Sequence, residues 1–419
     1  MLAIFDKIKE KLNGKTAAIL ATSICLLAVP VLMAKENWND HDRSGKYTAL
    51  EIARNYLKSC DKNAVLFTNG DNDTFPLWYI QEVEGFRTDI KIVNLSLLGM
   101  DWYIDQMKRA TYEAPPIPSA LNHKDYRGSK NNQVLIDRNR KKYVLITKAI
   151  KDIQEGKPCP KNIKLLVDSS NLSHLNIPEG LKSNIVNEIK FTIKGQALTK
   201  SDLLLLDIIA NFNWKQAIYF SSGQGLSKFK GLENFVHPFG AVYQLLPYSI
   251  ETGIDTEKMH QLLIGENAYK YGGINDSNVY IDYTTKISLA AFRQSYWALA
   301  QLYLQQDKNE KAIEIADKYF EEFEWSTGLL DPVSINIAAV YAQTGEIEKG
   351  EIITEMLQEN ILQLNYLKTQ QLSGDAQQLL QATGKNVKTL TNIKTQISNN
   401  KEKAQNEADG NGPFTIAQL

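Results

Sequence analysis

Cysteine is scarce: Cys25, Cys60 and Cys159 are the only three in 419 residues. Thiols so few and so dispersed build neither a disulfide framework nor a zinc module with short ligand spacing. Cys25 lies inside an apolar run, which leaves Cys60 and Cys159 as the remaining pair, and their separation carries no sign of a bridge. The five histidines, His41, His123, His174, His237 and His260, show no metal-ligand spacing. An excess of one charge is lacking too. With 47 Lys and Arg against 48 Asp and Glu, the net charge of −1 gives no basic footprint for a dedicated nucleic-acid binder. No G-x-S-x-G elbow surrounds a serine, and no P-loop or dinucleotide fingerprint is present. What is present is ordinary globular material, 43% apolar and 23% charged. At roughly 150 residues per domain, the length suggests about three folding units or two large ones.

Residues 16–34, TAAILATSICLLAVPVLMA, carry no charge. At about 1.5 Å per residue they form a helix of roughly 28 Å, close to the hydrocarbon thickness of a bilayer. Lys7, Lys9, Lys11 and Lys15 precede the run against only Asp6 and Glu10. The positive-inside rule then puts residues 1–15 in the cytoplasm and the bulk of the chain outside, in the periplasm of a bacterial inner membrane. Phe5, Ile8 and Leu12 share one face of an amphipathic segment that fits the interface before the span. The competing reading, a cleaved signal peptide, is disfavoured by Leu32, which stands where a small residue is wanted before Ala34.

An α/β region is expected over residues 48–250. A helical pattern at 48–59 leads to the apolar run AVLFT (64–68), a helix at 75–83, the run IKIVNLSLL (90–98) and a helix at 102–110. Such a β-α-β-α order predicts an open, largely parallel sheet. Residues 202–212 read as a helix feeding a third central strand at 217–221, and 236–249 as a closing strand. Between them, 133–137, 163–168 and 188–193 read as short strands whose pairing stays open.

Over 285–398 the pattern becomes all-α. The stretches at 299–320 and 337–357 match each other with Tyr341 against Tyr303 and Gly350 against Ala312, small residues standing where helices approach closely. This is the pattern of a tetratricopeptide-like repeat, with a lengthened connection near 327–332 and a further helical pair or cap at 361–383. The tail 399–419 is expected to fray.

The sharpest local motif is NGDNDT (69–74), just beyond the first strand, where open α/β sheets bind ligands. Asp71 and Asp73 offer hard oxygen ligands for a divalent cation, with Asn69 and Asn72 supplying polar contacts. The alternative is structural: Asn69-Gly70 makes a turn and Asp73 or Thr74 caps the next helix, with no metal. Asn94, Ser96, Asp101, Ser221 and Ser222 fall at the other presumed strand ends and complete one candidate ligand crevice. His41, between Asp40 and Asp42, reads as part of a solvated juxtamembrane turn, with Trp38 suited to the interfacial aromatic belt.

The segments NWNDHDRSGKY, AVLFTNGDNDTFPLWYIQEVEG, RTDIKIVNLSLLGMDWYIDQMK and AIYFSSG resemble the extracytoplasmic C-terminal part of bacterial protein O-mannosyltransferase-like membrane glycosyltransferases of the GT-C superfamily. The resemblance covers nearly the whole chain. It implies a periplasmic α/β region with tetratricopeptide-like helices, hung from the last transmembrane helix of a lipid-linked sugar transferase. In such enzymes the catalytic acid belongs to the multi-spanning part, so no residue of this single-span chain inherits that role. Two readings follow. The chain positions acceptor protein or partner subunits beside a separate multi-spanning glycosyltransferase core, or it is a membrane-anchored scaffold whose repeats hold a peptide.

Overall fold

An uninterrupted apolar stretch behind a capping residue dictates the first long helix. In the computed structural model, which describes residues 2–173, 175, 177, 179–249, 255–276, 278–323, 332–370 and 376–408, α1 (Leu2–Lys9) precedes α2 (Gly14–His41). The Asn13 side chain caps α2 by accepting the Thr16 N–H at 2.9 Å. Gly14–Trp38 of α2 is long and apolar enough to cross a bilayer. The fold leaves it uncovered, with Leu26 and Leu27 69% and 67% exposed, so it is not the core helix of a soluble domain. Helix α1 packs against its first turns, where Ala17 and Ala21 are covered.

The expected alternation follows as α3 (Thr48–Ser59), β1 (Val65–Thr68), α4 (Asp71–Glu84), β2 (Lys91–Asn94) and α5 (Asp101–Met107). An insertion then carries α6 (His123–Tyr126), β3 (Gln133–Asp137), β4 (Val144–Leu145), α7 (Ile146–Gln154), β5 (Cys159–Pro160), β6 (Asn162–Leu166), β7 (Glu188–Ile193) and β8 (Ala197–Thr199). The chain returns through α8 (Lys200–Asn211), β9 (Ile218–Phe220), β10 (Phe229–Lys230), β11 (Val236–Phe239), β12 (Val242–Leu245) and α9 (Thr256–Leu263).

The main sheet has the order β11-β12-β9-β1-β2. Strand β1 is buried along its length and pairs in parallel with β2 and β9, as its continuous apolar run requires. The register places Thr68 beside Asn94 and Phe67 beside Phe220, so three carboxyl ends open on one side. The region expected to add one closing strand instead forms the antiparallel hairpin β11–β12, which joins β9 and makes the sheet mixed. The insertion forms two small sheets, β7-β6-β4, which β10 of the returning chain extends next to β7, and β5-β3-β8.

The rest of the described chain is helical: α10 (Tyr283–Gln305), α11 (Asn309–Glu322), α12 (Pro332–Thr344), α13 (Ile347–Gln370) and α14 (Ala376–Ala408). Ala312 and Tyr303 are buried between α10 and α11. A Cβ on Gly350 would come within 2.7 Å of Ile397, which is why α13 carries glycine where it crosses α14. The lengthened connection expected near 327–332 lies almost wholly outside the described residues, as do 371–375 within the expected cap. Helix α14 continues past Asn399 to Ala408, where fraying was expected, because Ile393 and Ile397 anchor it in a second apolar cluster with Ile335 and Leu357.

One apolar core runs from α3 and the main sheet into α10, α11 and α12. Tyr56 of α3 stacks on Phe292 of α10 at 5.9 Å, and Tyr269 and Tyr271 meet the same ring edge-on. At Gly240, with φ +57°, a Cβ would lie 1.9 Å from the Tyr269 hydroxyl. The Gly240 carbonyl accepts the Ser295 hydroxyl at 2.6 Å, fastening the β11–β12 turn to α10. Arg293 is buried between the helical hairpins, donating to the Tyr319 hydroxyl at 2.8 Å and to Ser334 Oγ at 2.8 Å. The α/β and helical parts are therefore welded through buried aromatic and polar contacts.

Candidate functional site

The ends of β1, β2 and β9 bring most of the expected residues together. Asp71 opens α4, and Asp73 turns back on the strand end. Its carboxylate accepts the Asn69 N–H at 2.9 Å, the Gly70 N–H at 2.8 Å and the Ser221 hydroxyl at 2.5 Å. The helix thus starts within the motif, earlier than the hydrophobic pattern at 75–83 suggests, because Asp73, at the third helical position, accepts the N–H of the N-cap residue Gly70 and so pins the helix start. Asn69 Nδ2 donates to Ser222 Oγ at 2.7 Å, and Ser96 Oγ donates to the Asn69 carbonyl at 2.5 Å. Beneath them, Asn94 Nδ2 donates to Thr74 Oγ1 at 2.8 Å, and Thr74 meets Thr68 Oγ1 at 2.7 Å. Leu97 N–H donates to Asn94 Oδ1 at 3.0 Å, so the buried amide is satisfied from both ends.

This is a self-satisfied polar lattice that locks three strand ends. A Cβ on Gly225 would press to 2.7 Å from Leu95, so the SSGQG turn also closes tightly over the lattice. The geometry fits the capping alternative for NGDNDT. Asp73 is occupied by three donors, while Asp71 and Asn72, in the same first turn, are exposed. Among the described residues, no group of three or more His, Cys, Asp and Glu side chains gathers in a way that could hold a metal ion. Asp101 stands apart from the lattice, clamping Lys200 at 2.9 Å and the Gly128 N–H at 2.5 Å. The Gly128 N–H and the Lys200 ammonium hold its carboxyl below the usual range.

The open space lies on the other side of the α4 start. A cavity of about 600 Å³ is bounded by the segment just after α2, by α3, by the first turn of α4 and by the start of α10. Ile52, Ala53, Tyr56 and Phe75 give it an apolar wall; Arg43, Lys46, Asp71, Asn72, Asp282 and Thr285 give it a polar one. Asp282 caps α10, accepting the Thr285 N–H at 2.9 Å, and it also pairs with Lys46. Partial burial would raise the Asp282 pKa, but Lys46 and the Thr285 donors outweigh it and hold the carboxyl well below the usual range. Burial, with the Asp73 charge close by, pushes the Tyr56 hydroxyl up. The cavity is thus mixed in polarity, and the ion pair from Lys46 ties the exit of α2 to the helical region.

Of the residues marked in the sequence, Asp71, Asn72 and Asp73 border this cavity, while Asn69, Asn94, Ser96, Ser221 and Ser222 form the lattice behind it. Arg43, Lys46, Tyr56 and Asp282 do not stand out in the sequence as site residues. Their signal was faint: a lone Asp ahead of a helix at 283, and two cations within a few residues of the span. Cys60 and Cys159 are buried free thiols; burial pushes Cys159 up to about 12, which suits inert packing.

A family model described as TMEM260-associated domain 2 matches residues 49–262, from the start of α3 to the end of α9. No solved structure matches the chain.

Proposed function

Because the chain belongs to the TMEM260-associated domain 2 family, we propose that it is the membrane-anchored, extracytoplasmic portion of a protein O-mannosyltransferase-like glycosyltransferase of the GT-C type. Membership relates the chain to membrane glycosyltransferases, and the uncovered apolar helix Gly14–Trp38 agrees with anchoring. The observation that carries the reading is their adjacency: the matched region begins at residue 49, eleven positions after Trp38 closes the span. In this reading the chain positions acceptor protein or partner subunits beside a multi-spanning core in the bacterial inner membrane, with the bulk of its mass in the periplasm. The core supplies the sugar-transfer chemistry. The cavity bordered by Arg43 and Lys46 follows the span directly in sequence, which makes it the candidate contact for an acceptor or partner in this reading.

A second reading rests on a separate observation. Helices α10–α13 form two successive hairpins in which Tyr303 and Tyr341, 38 positions apart, are both buried. That suits tetratricopeptide-like packing, and with it an anchored, non-enzymatic scaffold that holds a peptide. The test is purification of the full chain from detergent-solubilised native membranes. The first reading expects a polytopic glycosyltransferase to copurify and to be lost when α2 is exchanged for an unrelated span. Recovery of soluble peptide partners alone, with either span, would replace it by the second.

A further inference from the structure

Another concave surface lies far along the chain from the span, on the sheet β10-β7-β6-β4, and its charge is one-sided. Alternation along β7 buries Ile189, Phe191 and Ile193 and turns Lys190 and Thr192 outward, with Lys194 next in line. The register sets Lys230 of β10 and Asn162 of β6 on either side of Thr192. Lys161 leads into β6, and Arg138 follows β3. A groove of about 670 Å³ is lined by these five cations, Arg138, Lys161, Lys190, Lys194 and Lys230, and by no carboxylate.

That concentration stands against a chain with 47 basic and 48 acidic residues. Only Lys190 has a carboxylate partner, Glu188 at 2.7 Å, which also holds Lys164 at 3.0 Å from the neighbouring strand. Arg138 spends one Nη2 bond on the Gly195 carbonyl at 2.8 Å. Lys161, Lys194 and Lys230 make no ion pair among the described residues. Gly231, with φ +103°, lets the β10 turn pass close to the Lys190 carbonyl, where a Cβ would meet it at 3.2 Å. The groove floor is therefore ordered sheet, and four of its five cations, Arg138, Lys161, Lys194 and Lys230, have no carboxylate partner among the described residues. Clustered ammonium groups repel one another, and a multiply charged anion relieves that repulsion. Lysines offer rotatable point-charge donors and Arg138 a planar fork, which together match the several oxygens of a phosphate group.

We propose that this groove is a binding site for a phosphate-bearing anion, either a lipid headgroup or a soluble phosphate ester. It stands independently of the transferase reading, since it uses no residue of the juxtamembrane cavity or of the helical repeats. The test uses the full chain in phosphatidylcholine nanodiscs, titrated with inorganic pyrophosphate by calorimetry. Saturable binding is expected, weakened at least tenfold in Lys190→Gln/Lys194→Gln/Lys230→Gln with an unchanged melting temperature. Lys124→Gln/Lys130→Gln/Lys215→Gln, which removes the same charge elsewhere on the surface, should stay within twofold of wild type. Should the first triple variant melt early, Arg138→Gln/Lys161→Gln gives an independent reading of the same loss. Repeating the titration in nanodiscs containing phosphatidylglycerol separates the sources: weakened pyrophosphate binding identifies a lipid headgroup, and unchanged binding a soluble ester. No saturable binding, equal loss in both triple variants, or a preference for polyglutamate over pyrophosphate would overturn the proposal.

Discussion

Replacing Asp73 by Ala should destabilise the protein far more than replacing Asp71, although the two stand two residues apart in one motif. Asp73 accepts two backbone N–H groups and the buried Ser221 hydroxyl, whereas Asp71 is exposed. Loss of an N-terminal cap costs about 0.5–2 kcal/mol. Leaving the Ser221 hydroxyl without an acceptor adds about 1 kcal/mol. Together they give up to about 3 kcal/mol for Asp73→Ala, against about 0.5 kcal/mol for removing an exposed acid at a helix start. For 419 residues, the entropy of unfolding turns the larger figure into a fall of about 3 to 4 °C in melting temperature. Differential scanning calorimetry of the full chain in detergent, with and without millimolar calcium or magnesium, reads both quantities. Equal losses for the two variants, together with metal-dependent stabilisation of wild type that either variant abolishes, would refute the capping argument and restore a cation site.

Two further substitutions probe other parts of the fold. Gly240→Ala puts a Cβ 1.9 Å from the Tyr269 hydroxyl at a left-handed residue, so a loss above about 3 kcal/mol is expected; Gly85→Ala, also left-handed but in open space, should cost only about 1 kcal/mol by the same melts. Lys91 is buried, and that burial lowers its ammonium pKa to about 8. Between about pH 8 and the ordinary lysine value near 10.4, the unfolded chain then holds a proton that the folded chain lacks, so stability rises with pH across that window. Melts at the two ends of the window should show this rise, of about 3 kcal/mol at most, in wild type, and Lys91→Met should flatten it.

The sequence disclosed those elements whose periodicity is decided locally. The apolar run of β1 and the amphipathic pattern of α3 are positioned almost as expected because each buries its own residues. Helix α4 began earlier than its hydrophobic pattern, since a cap, and not an apolar residue, sets its start. The hairpin β11–β12 reads as one strand in the sequence because its reversal is made by the short Gly240–Ala241 turn. At the site, the convergence of Asn69, Asp73 and Ser221 followed from the strand-end rule, but Asp101 did not join them. Its distant partner Lys200 draws it to the start of α8, and no local pattern carries a pairing across 99 positions. The juxtamembrane cavity was invisible for the same reason: Lys46 and Asp282 meet only once the helices have packed. The basic groove was likewise hidden in a chain-wide charge balance that averages it away.

The proposed role depends above all on which side of the membrane the folded mass occupies. Cys60 and Cys159 are buried and Cys25 lies within α2, so Glu310→Cys adds one exposed thiol on α11. Labelling of that thiol by a membrane-impermeant maleimide, in intact cells whose outer membrane has been made permeable, is the direct test. We expect full labelling on protein that stays in the membrane fraction. Labelling only after the inner membrane is lysed, or recovery of the chain as a processed soluble protein, would contradict the anchored extracytoplasmic assignment.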